Sequence, residues 1–159
     1  MPTLNEAVTD FLAQERIAVT GVSGNRETSA NAIYKKLKHT GHKVYAVNPG
    51  MEIFENEQCY PDLASIPEQV DGVVIVNKPE VTEQIVQQCA DAGIPRVWMH
   101  RSMESLGSSV SDDAVEFCKQ EGITVIPGGC PMMFKEPVDF GHKCIRWWLN
   151  ISGGLPKQV

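Results

Sequence analysis

The run Gly72-Val73-Val74-Ile75-Val76 contains no polar side chain, so a strand built from it is apolar on both faces. Such a strand is stable where both faces are covered, at the centre of a parallel sheet flanked by helices. Four further short runs are strand candidates: Arg16-Ile17-Ala18-Val19-Thr20, Lys43-Val44-Tyr45-Ala46-Val47, Arg96-Val97-Trp98-Met99 and Ile123-Thr124-Val125-Ile126. Helical spacing fills the stretches between them. Ala30, Ile33 and Leu37 share one helical face before Gly41, and Val81, Ile85, Val86, Cys89 and Ala90 do so before Gly93 and Pro95. The segment from Asp112 to Gln120 stops at Gly122 in the same way. Short strands joined by right-handed helical crossovers predict an α/β fold, a doubly wound parallel sheet of about five strands.

The flanks extend this plan. Thr3-x-x-Glu6 reads as a capping box, and Ala7, Val8, Phe11 and Leu12 fall at helical spacing, which predicts an N-terminal helix from about residue 4 to 14. Residues 51–69 are less regular, with a short helix expected around Leu63. Past Pro127-Gly128-Gly129-Cys130-Pro131 the pattern changes. Phe140, Cys144, Ile145, Trp148 and Leu149 then recur helically between Val138 and Ile151. Residues 1–136 are therefore read as one sheet domain, and 137–159 as its C-terminal helical extension, packed on the sheet or on a second copy in a homodimer.

With 14 Lys and Arg against 20 Asp and Glu the chain has a formal net charge of −6, which argues against nucleic acid or an anionic membrane as a general partner. No apolar run approaches the ~18 residues that span a bilayer, and the opening Met1-Pro2-Thr3-Leu4-Asn5-Glu6 lacks the basic and apolar regions of a secretory leader. A cytoplasmic, soluble protein is expected. Five cysteines, Cys59, Cys89, Cys118, Cys130 and Cys144, are widely spaced with no Cys-x-x-Cys pair, so reduced thiols are expected rather than disulfides or zinc.

In an open α/β sheet, ligands settle where strand ends meet helix N-termini. The first such loop here, Gly21-Val22-Ser23-Gly24-Asn25-Arg26-Glu27-Thr28, offers two glycines for close backbone approach, the Ser23 hydroxyl and the Arg26 cation, with Ser29 at the helix start. A nucleotide-type ligand and a turn of purely structural purpose are both consistent with it. The dinucleotide fingerprint G-x-G-x-x-G is not met, because Ser23 and Arg26 occupy the second and third glycine positions. The second strand ends in Val47-Asn48-Pro49 where NAD binding expects a carboxylate. That counts against NAD and is compatible with an adenosine bearing an extra phosphate. Among the basic residues from Arg26 to Lys43, Lys35, Lys36 and Lys38 are read as a solvated helix end complementing the dipole. Arg26 and Lys78, at strand-end loops, are better placed to meet phosphate.

Several motifs in a fixed order carry a resemblance: Gly21-Val22-Ser23, Asn31, Val44-Tyr45-Ala46-Val47-Asn48-Pro49, Cys59-Tyr60-Pro61-Asp62-Leu63, Ile66-Pro67, Val70-Asp71, Lys78-Pro79-Glu80, Trp98, Gly122-Ile123-Thr124-Val125-Ile126 and Cys130-Pro131-Met132. From about Phe11 to Phe134 the chain resembles the stand-alone coenzyme A-binding proteins, a Rossmann-like family similar to the coenzyme A-binding domain of the succinyl-coenzyme A synthetase α subunit. The resemblance implies coenzyme A or an acyl-coenzyme A as cofactor. It implies a diphosphate near Ser23 and the start of the first crossover helix, adenosine beside Val47, Asn48 and Pro49, and further contacts from Asn77, Lys78 and Pro79; Gly21, Val22, Gly24, Asn25, Arg26, Ser29, Asn31 and His100 are the other residues expected to bind the cofactor. Relatives commonly carry Lys and Gly just before the matched Asn31, where this chain has Thr28 and Ala30. Where they often read Trp-Leu-Gln, it reads Trp98-Met99-His100, which is expected to change the rim of the cleft.

No residues commit the chain to a reaction. Gly21-Val22-Ser23-Gly24-Asn25 departs from the nucleophile elbow at its last position. Cys130, beyond the last strand, is the best nucleophile candidate, with His100 at another strand end. A buried structural cysteine before a cis or kinked Pro131 is the simpler reading. The expected function is a non-catalytic or regulatory binding protein, the alternatives being a small thioester-acting enzyme using Cys130 and an interaction domain that has lost its ligand.

Overall fold

The computed structural model describes residues 1–103 and 107–159. Its elements, in chain order, are α1 (Leu4–Leu12), β1 (Arg16–Thr20), α2 (Ser29–His39), β2 (Lys43–Val47), β3 (Ile53–Phe54), β4 (Glu57–Tyr60) and β5 (Gly72–Ile75). There follow α3 (Pro79–Asp91), β6 (Arg96–Met99), α4 (Asp112–Gln120), β7 (Thr124–Pro127), a 3-10 turn at Pro131–Met133 and α5 (Phe140–Ser152). The sheet runs in the order β3-β4-β2-β1-β5-β6-β7. Every pairing is parallel except that of β3 with β4.

The strands are apolar on both faces because both faces are roofed. Ile17 and Val19 of β1, Val44 and Ala46 of β2, Val74 of β5, Trp98 of β6 and Ile126 of β7 enter one core with α1, α2 and the C-terminal segment. The alternate residues Ala18, Tyr45, Val47, Val73, Ile75, Val97, Met99 and Val125 enter a second core under α3 and α4. The period of two thus sorts each strand between two interiors. In the first, the Phe11 and Trp98 rings meet edge to face with centroids 5.5 Å apart, and Trp98 Nε1 donates to the Gly128 carbonyl at 3.0 Å. Aromatic pairs of this kind contribute ~0.5–1.5 kcal/mol beyond area burial.

Two expectations are corrected, and one pair of alternatives, a cis or a kinked Pro131, is decided. The sheet has seven strands, not about five, and no helix forms around Leu63. Residues 51–69 instead begin with the hairpin of β3 and β4, whose turn residues Glu55 and Asn56 both have positive φ, 49° and 63°. That is the backbone of a two-residue hairpin loop, written without the usual Asn-Gly. The strands are two and four residues long, too short to show alternation in sequence. The Cys130–Pro131 bond is not cis. Pro131 instead opens the 3-10 turn, and the cis bond among the described residues is Glu136–Pro137.

The C-terminal segment returns to the N-terminus. Gly153, at φ 76°, ends α5 in a left-handed cap, and the Gly154 N–H donates to the Leu149 carbonyl at 2.9 Å. Leu149, Leu155 and Val159 are then buried in the same core as Leu4 and Phe11. The Val159 N–H donates to the Pro2 carbonyl at 3.1 Å, so the two ends lie side by side. Among the described residues no helix is long and apolar enough to cross a membrane.

Candidate functional site

Strand β1 leads outward to β2, and the chain later returns to place β5 on the other side of β1. The order therefore reverses between β1 and β5, and a crevice opens beyond their carboxyl ends. This cleft of about 720 Å³ is lined by the β1–α2 loop, Asn48, the Val76-Asn77-Lys78 segment, His100 and residues 107–109.

Two contacts pin its floor. Gly21 has φ 87°, and a Cβ there would lie 1.9 Å from the Val76 carbonyl oxygen, so only glycine lets the β1 and β5 ends approach this closely. Beside it, Thr20 Oγ1 donates to Asn77 Oδ1 at 2.6 Å, and Ser109 Oγ accepts from the Asn77 N–H at 3.0 Å.

Asn31 organises the loop above. Buried on the first turn of α2, its Oδ1 accepts from the Ser23 N–H and its Nδ2 donates to the Ser23 carbonyl, both at 2.8 Å. The same Nδ2 reaches the Arg26 carbonyl at 3.2 Å. Thr28 is the N-cap of α2, accepting from the Asn31 N–H through Oγ1. Thr28 thus caps the helix, and Ala30, two residues on, is fully buried in the core. The cap satisfies the third helical amide, and the first two, those of Ser29 and Ala30, have no acceptor within the helix.

Of the residues expected at the site, Gly21, Val22, Ser23, Arg26, Ser29, Asn48, Asn77, Lys78 and His100 line this cleft. Gly24, Asn25, Asn31, Val47, Pro49 and Pro79 do not. Asn31 and Val47 are buried, and Pro79 is the first residue of α3. Pro49 lines an adjoining recess of about 630 Å³ with Met51, Ile53 and Cys59. Asn48 also braces the structure, donating from Nδ2 to the Val22 carbonyl at 2.7 Å and accepting from the Gly50 N–H at 2.7 Å. Glu27, Thr28, Val76, Gly107, Ser108 and Ser109 complete the lining. The last three follow β6 in a segment where sequence spacing carries no signal. The expected change of rim at Trp98-Met99-His100 reduces to His100, because Trp98 and Met99 point into opposite cores.

The charges divide cleanly. Lys35 pairs with Glu27 and Glu55 at 3.0 and 3.5 Å, Lys38 with Glu57, and Lys43 with Glu68. Arg26 and Lys78 form no ion pair among the described residues, and both border the cleft. The α2 helix has no acid in its first turn, so its positive dipole end is opposed only by Glu27, itself paired to Lys35. Burial pushes His100 down to about 4, with the neighbouring His142 adding to the shift, so its imidazole is neutral near pH 7. Burial pushes the Cys130 thiol up to about 12, the reverse of what a nucleophile needs. A separate cleft of about 600 Å³, between residues 62–70 and the end of α3, contains Asp62, Glu68 and Asp91 and no basic residue, which suits no anion.

Residues 15–136 match the family described as "CoA binding domain". The chain belongs to the CoA-binding domain family. Coenzyme A, the cofactor expected from the resemblance, is the cofactor of this family. The domain is similar to acetate–CoA ligase [ADP-forming] I of Archaeoglobus fulgidus, 26% identical over 118 residues, covering 72% of this chain and 17% of that protein. It is also similar to the acetate–CoA ligase [ADP-forming] I subunit alpha of Pyrococcus furiosus, 29% identical over 120 residues, covering 69% and 26% respectively. The chain thus spans between a sixth and about a quarter of the length of these relatives. Among solved structures, a hypothetical protein from Pyrococcus horikoshii OT3 superposes with TM-score 0.76 at 27% identity, covering 84% of this CoA-binding domain chain and 91% of that one. A dinucleotide-forming acetyl-coenzyme A synthetase of Ca. Korarchaeum cryptofilum, in complex with phosphate and ADP, gives TM-score 0.58 at 25% identity, covering 69% of this chain and 25% of that one. The Rossmann-like fold expected from the sequence is shared with these neighbours. The cleft's donors fit the family's cofactor: two cations without ion-pair partners among the described residues, hydroxyls, and helix-start amides suit a phosphate-bearing ligand.

Proposed function

We propose that this protein binds coenzyme A or an acyl-coenzyme A in the β1–β5 cleft and performs no chemistry on it. In this reading the diphosphate lies over Ser23 and the start of α2, between Arg26 and Lys78. The adenosine sits beside Asn48 and Pro49, where the adjoining recess offers the apolar sides of Met51 and Ile53. His100 and Ser109 border the path left for the pantetheine arm. The observation that carries the proposal is the opening of the α2 N-terminus onto a cleft flanked by two cations without carboxylate partners among the described residues.

The absence of chemistry is argued from the candidate groups themselves. Ser23 Oγ accepts from the Asn25 N–H at 3.3 Å and has no histidine partner among the described residues. The Cys130 thiol is buried and held protonated. A binding protein that presents or sequesters its ligand, as a regulatory subunit does, requires only the cations, hydroxyls and helix-start amides that border the cleft.

Titration calorimetry with coenzyme A, acetyl-coenzyme A and NAD tests this. Saturable binding of the first two with one site per chain, weak or no binding of NAD, and unchanged thioester after incubation are expected. No heat with either thiol cofactor, or hydrolysis of the thioester that Cys130→Ser abolishes, overturns it.

A further inference from the structure

Helix α5 is apolar on two opposite sides. Ile145 and Leu149 face the core of the chain's own fold. On the other side Phe140, Cys144, Trp147, Trp148 and Ile151 recur at steps of four, three, one and three, which gathers them into a stripe about 100° wide on a helix of 3.6 residues per turn. The stripe is uncovered: Phe140 is 83% exposed, Trp147 64%, Trp148 58% and Ile151 64%, and Cys144 is the exposed cysteine. No charged residue interrupts it.

Taking roughly 150–250 Å² for an aromatic side chain, these residues present on the order of 500–600 Å² of apolar surface. That is at the upper end of the ~300–600 Å² patch a monomer typically shows. Two such stripes face to face hide on the order of 1,000–1,200 Å². This reaches the lower edge of the ~1,200–2,000 Å² of a stable interface, before the flanking stems of Lys143 and Arg146 are counted. A groove of about 330 Å³ along the Trp147 side, lined also by Met133, Val138 and Arg146, gives the face relief.

We propose that a second copy of this chain covers the stripe, its own α5 packed antiparallel on the first about a two-fold axis. The spacing favours this occupant. An antiparallel pair centred between Ile145 and Arg146 sets Phe140 opposite Ile151 of the second copy, Cys144 opposite Trp147, and Trp148 opposite Lys143, whose cation can lie against the indole, so the patch pairs with itself as an isologous contact requires. Antiparallel helices also oppose their dipoles. The two Cys144 thiols then lie near the axis.

Sedimentation velocity and cysteine cross-linking on the full chain test the proposal. The wild type is expected at twice the chain mass in the micromolar range, with a short bismaleimide joining two chains through Cys144, the other four cysteines being buried. Trp147→Glu combined with Ile151→Glu alters only exposed positions. It is expected to give a folded monomer that no longer cross-links and binds coenzyme A as the wild type does. A wild type that is monomeric into the hundred-micromolar range overturns the proposal, whether it remains free or floats with phosphatidylcholine vesicles. So does a double variant that remains dimeric.

Discussion

Asn31 grips Ser23 by both of its main-chain polar groups, Oδ1 on the N–H and Nδ2 on the carbonyl, each at 2.8 Å. The loop that opens the cleft is thereby shaped by a buried side chain. Removing one partner of a buried hydrogen bond costs ~1–3 kcal/mol, so Asn31→Ala is expected to destabilise the fold by about that amount and to weaken coenzyme A binding at least tenfold. Asn31→Asp retains the acceptor but loses the donor and adds a negative charge near the ligand, and should bind more weakly still. Urea melts and calorimetry on both variants check the order.

Arg26 and Lys78 border the cleft without carboxylate partners among the described residues. Charge-assisted hydrogen bonds contribute ~1.5–3 kcal/mol, so Arg26→Ala and Lys78→Ala should each cost about 10- to 100-fold in affinity for coenzyme A while leaving the melting temperature nearly unchanged. Comparing coenzyme A with its 3′-dephospho form separates their roles. A residue that meets the extra phosphate loses its effect with the shorter ligand, and one that meets the diphosphate does not.

The approach of Gly21 to Val76 leaves no room for a methyl group. A Cβ 1.9 Å from the carbonyl oxygen, on a backbone at φ 87°, combines a clash with left-handed strain, and Gly21→Ala is expected to cost about 2–4 kcal/mol. Gly41 also has positive φ, but a Cβ there would meet nothing within 4 Å. Gly41→Ala therefore suffers the strain alone and should cost about 1 kcal/mol. Chemical denaturation of the two variants side by side isolates the clash.

His100 makes stability depend on pH in a definite direction. Its folded value of about 4 lies below the ordinary 6.5 of a solvated imidazole because burial disfavours the charged ring. Between those values the unfolded chain binds a proton that the folded chain does not, so stability is fully present above pH ~6.5, falls as the pH drops, and levels off below ~4. The shift corresponds to about 3 kcal/mol at most. Glu68 is also depressed, to about 2, first by its hydrogen bonds from Lys43 and Tyr45, but its loss of stability begins only near pH 4.5. Burial also holds His42 below its ordinary value, in the same direction, so both histidines contribute to the slope between pH 6.5 and 5. The slope should shrink in His100→Gln and flatten further when His42→Gln is added, as measured by the urea midpoint against pH.

Much of this was legible in the residues. The double-faced apolar runs at Val73-Val74-Ile75 and Ile17-Ala18-Val19 announced a covered parallel sheet, because a parallel strand has no wet face to encode. The first βα loop was legible through Gly21 and Ser23, and the α2 boundary through Gly41. The hairpin at Ile53–Tyr60 was not, since its strands are too short for alternation and its turn uses Glu55-Asn56. The part of the cleft wall after His100 was hidden because Ser109 acts through tertiary hydrogen bonds, to Asn77 and Thr82, that no local spacing encodes. The role of Asn31 in shaping the loop was also hidden, because its bonds to Ser23 cross eight residues and no local spacing encodes them.

The hydrogen bond between Val159 and Pro2 makes the polypeptide close to a ring. A few added residues could bridge the gap, and fresh ends could be cut at the Gly41 bend, away from the cleft and from α5. Such a permuted chain would keep its ligand affinity while folding in a different order, so the ring separates what the topology requires from what the direction of synthesis happens to supply.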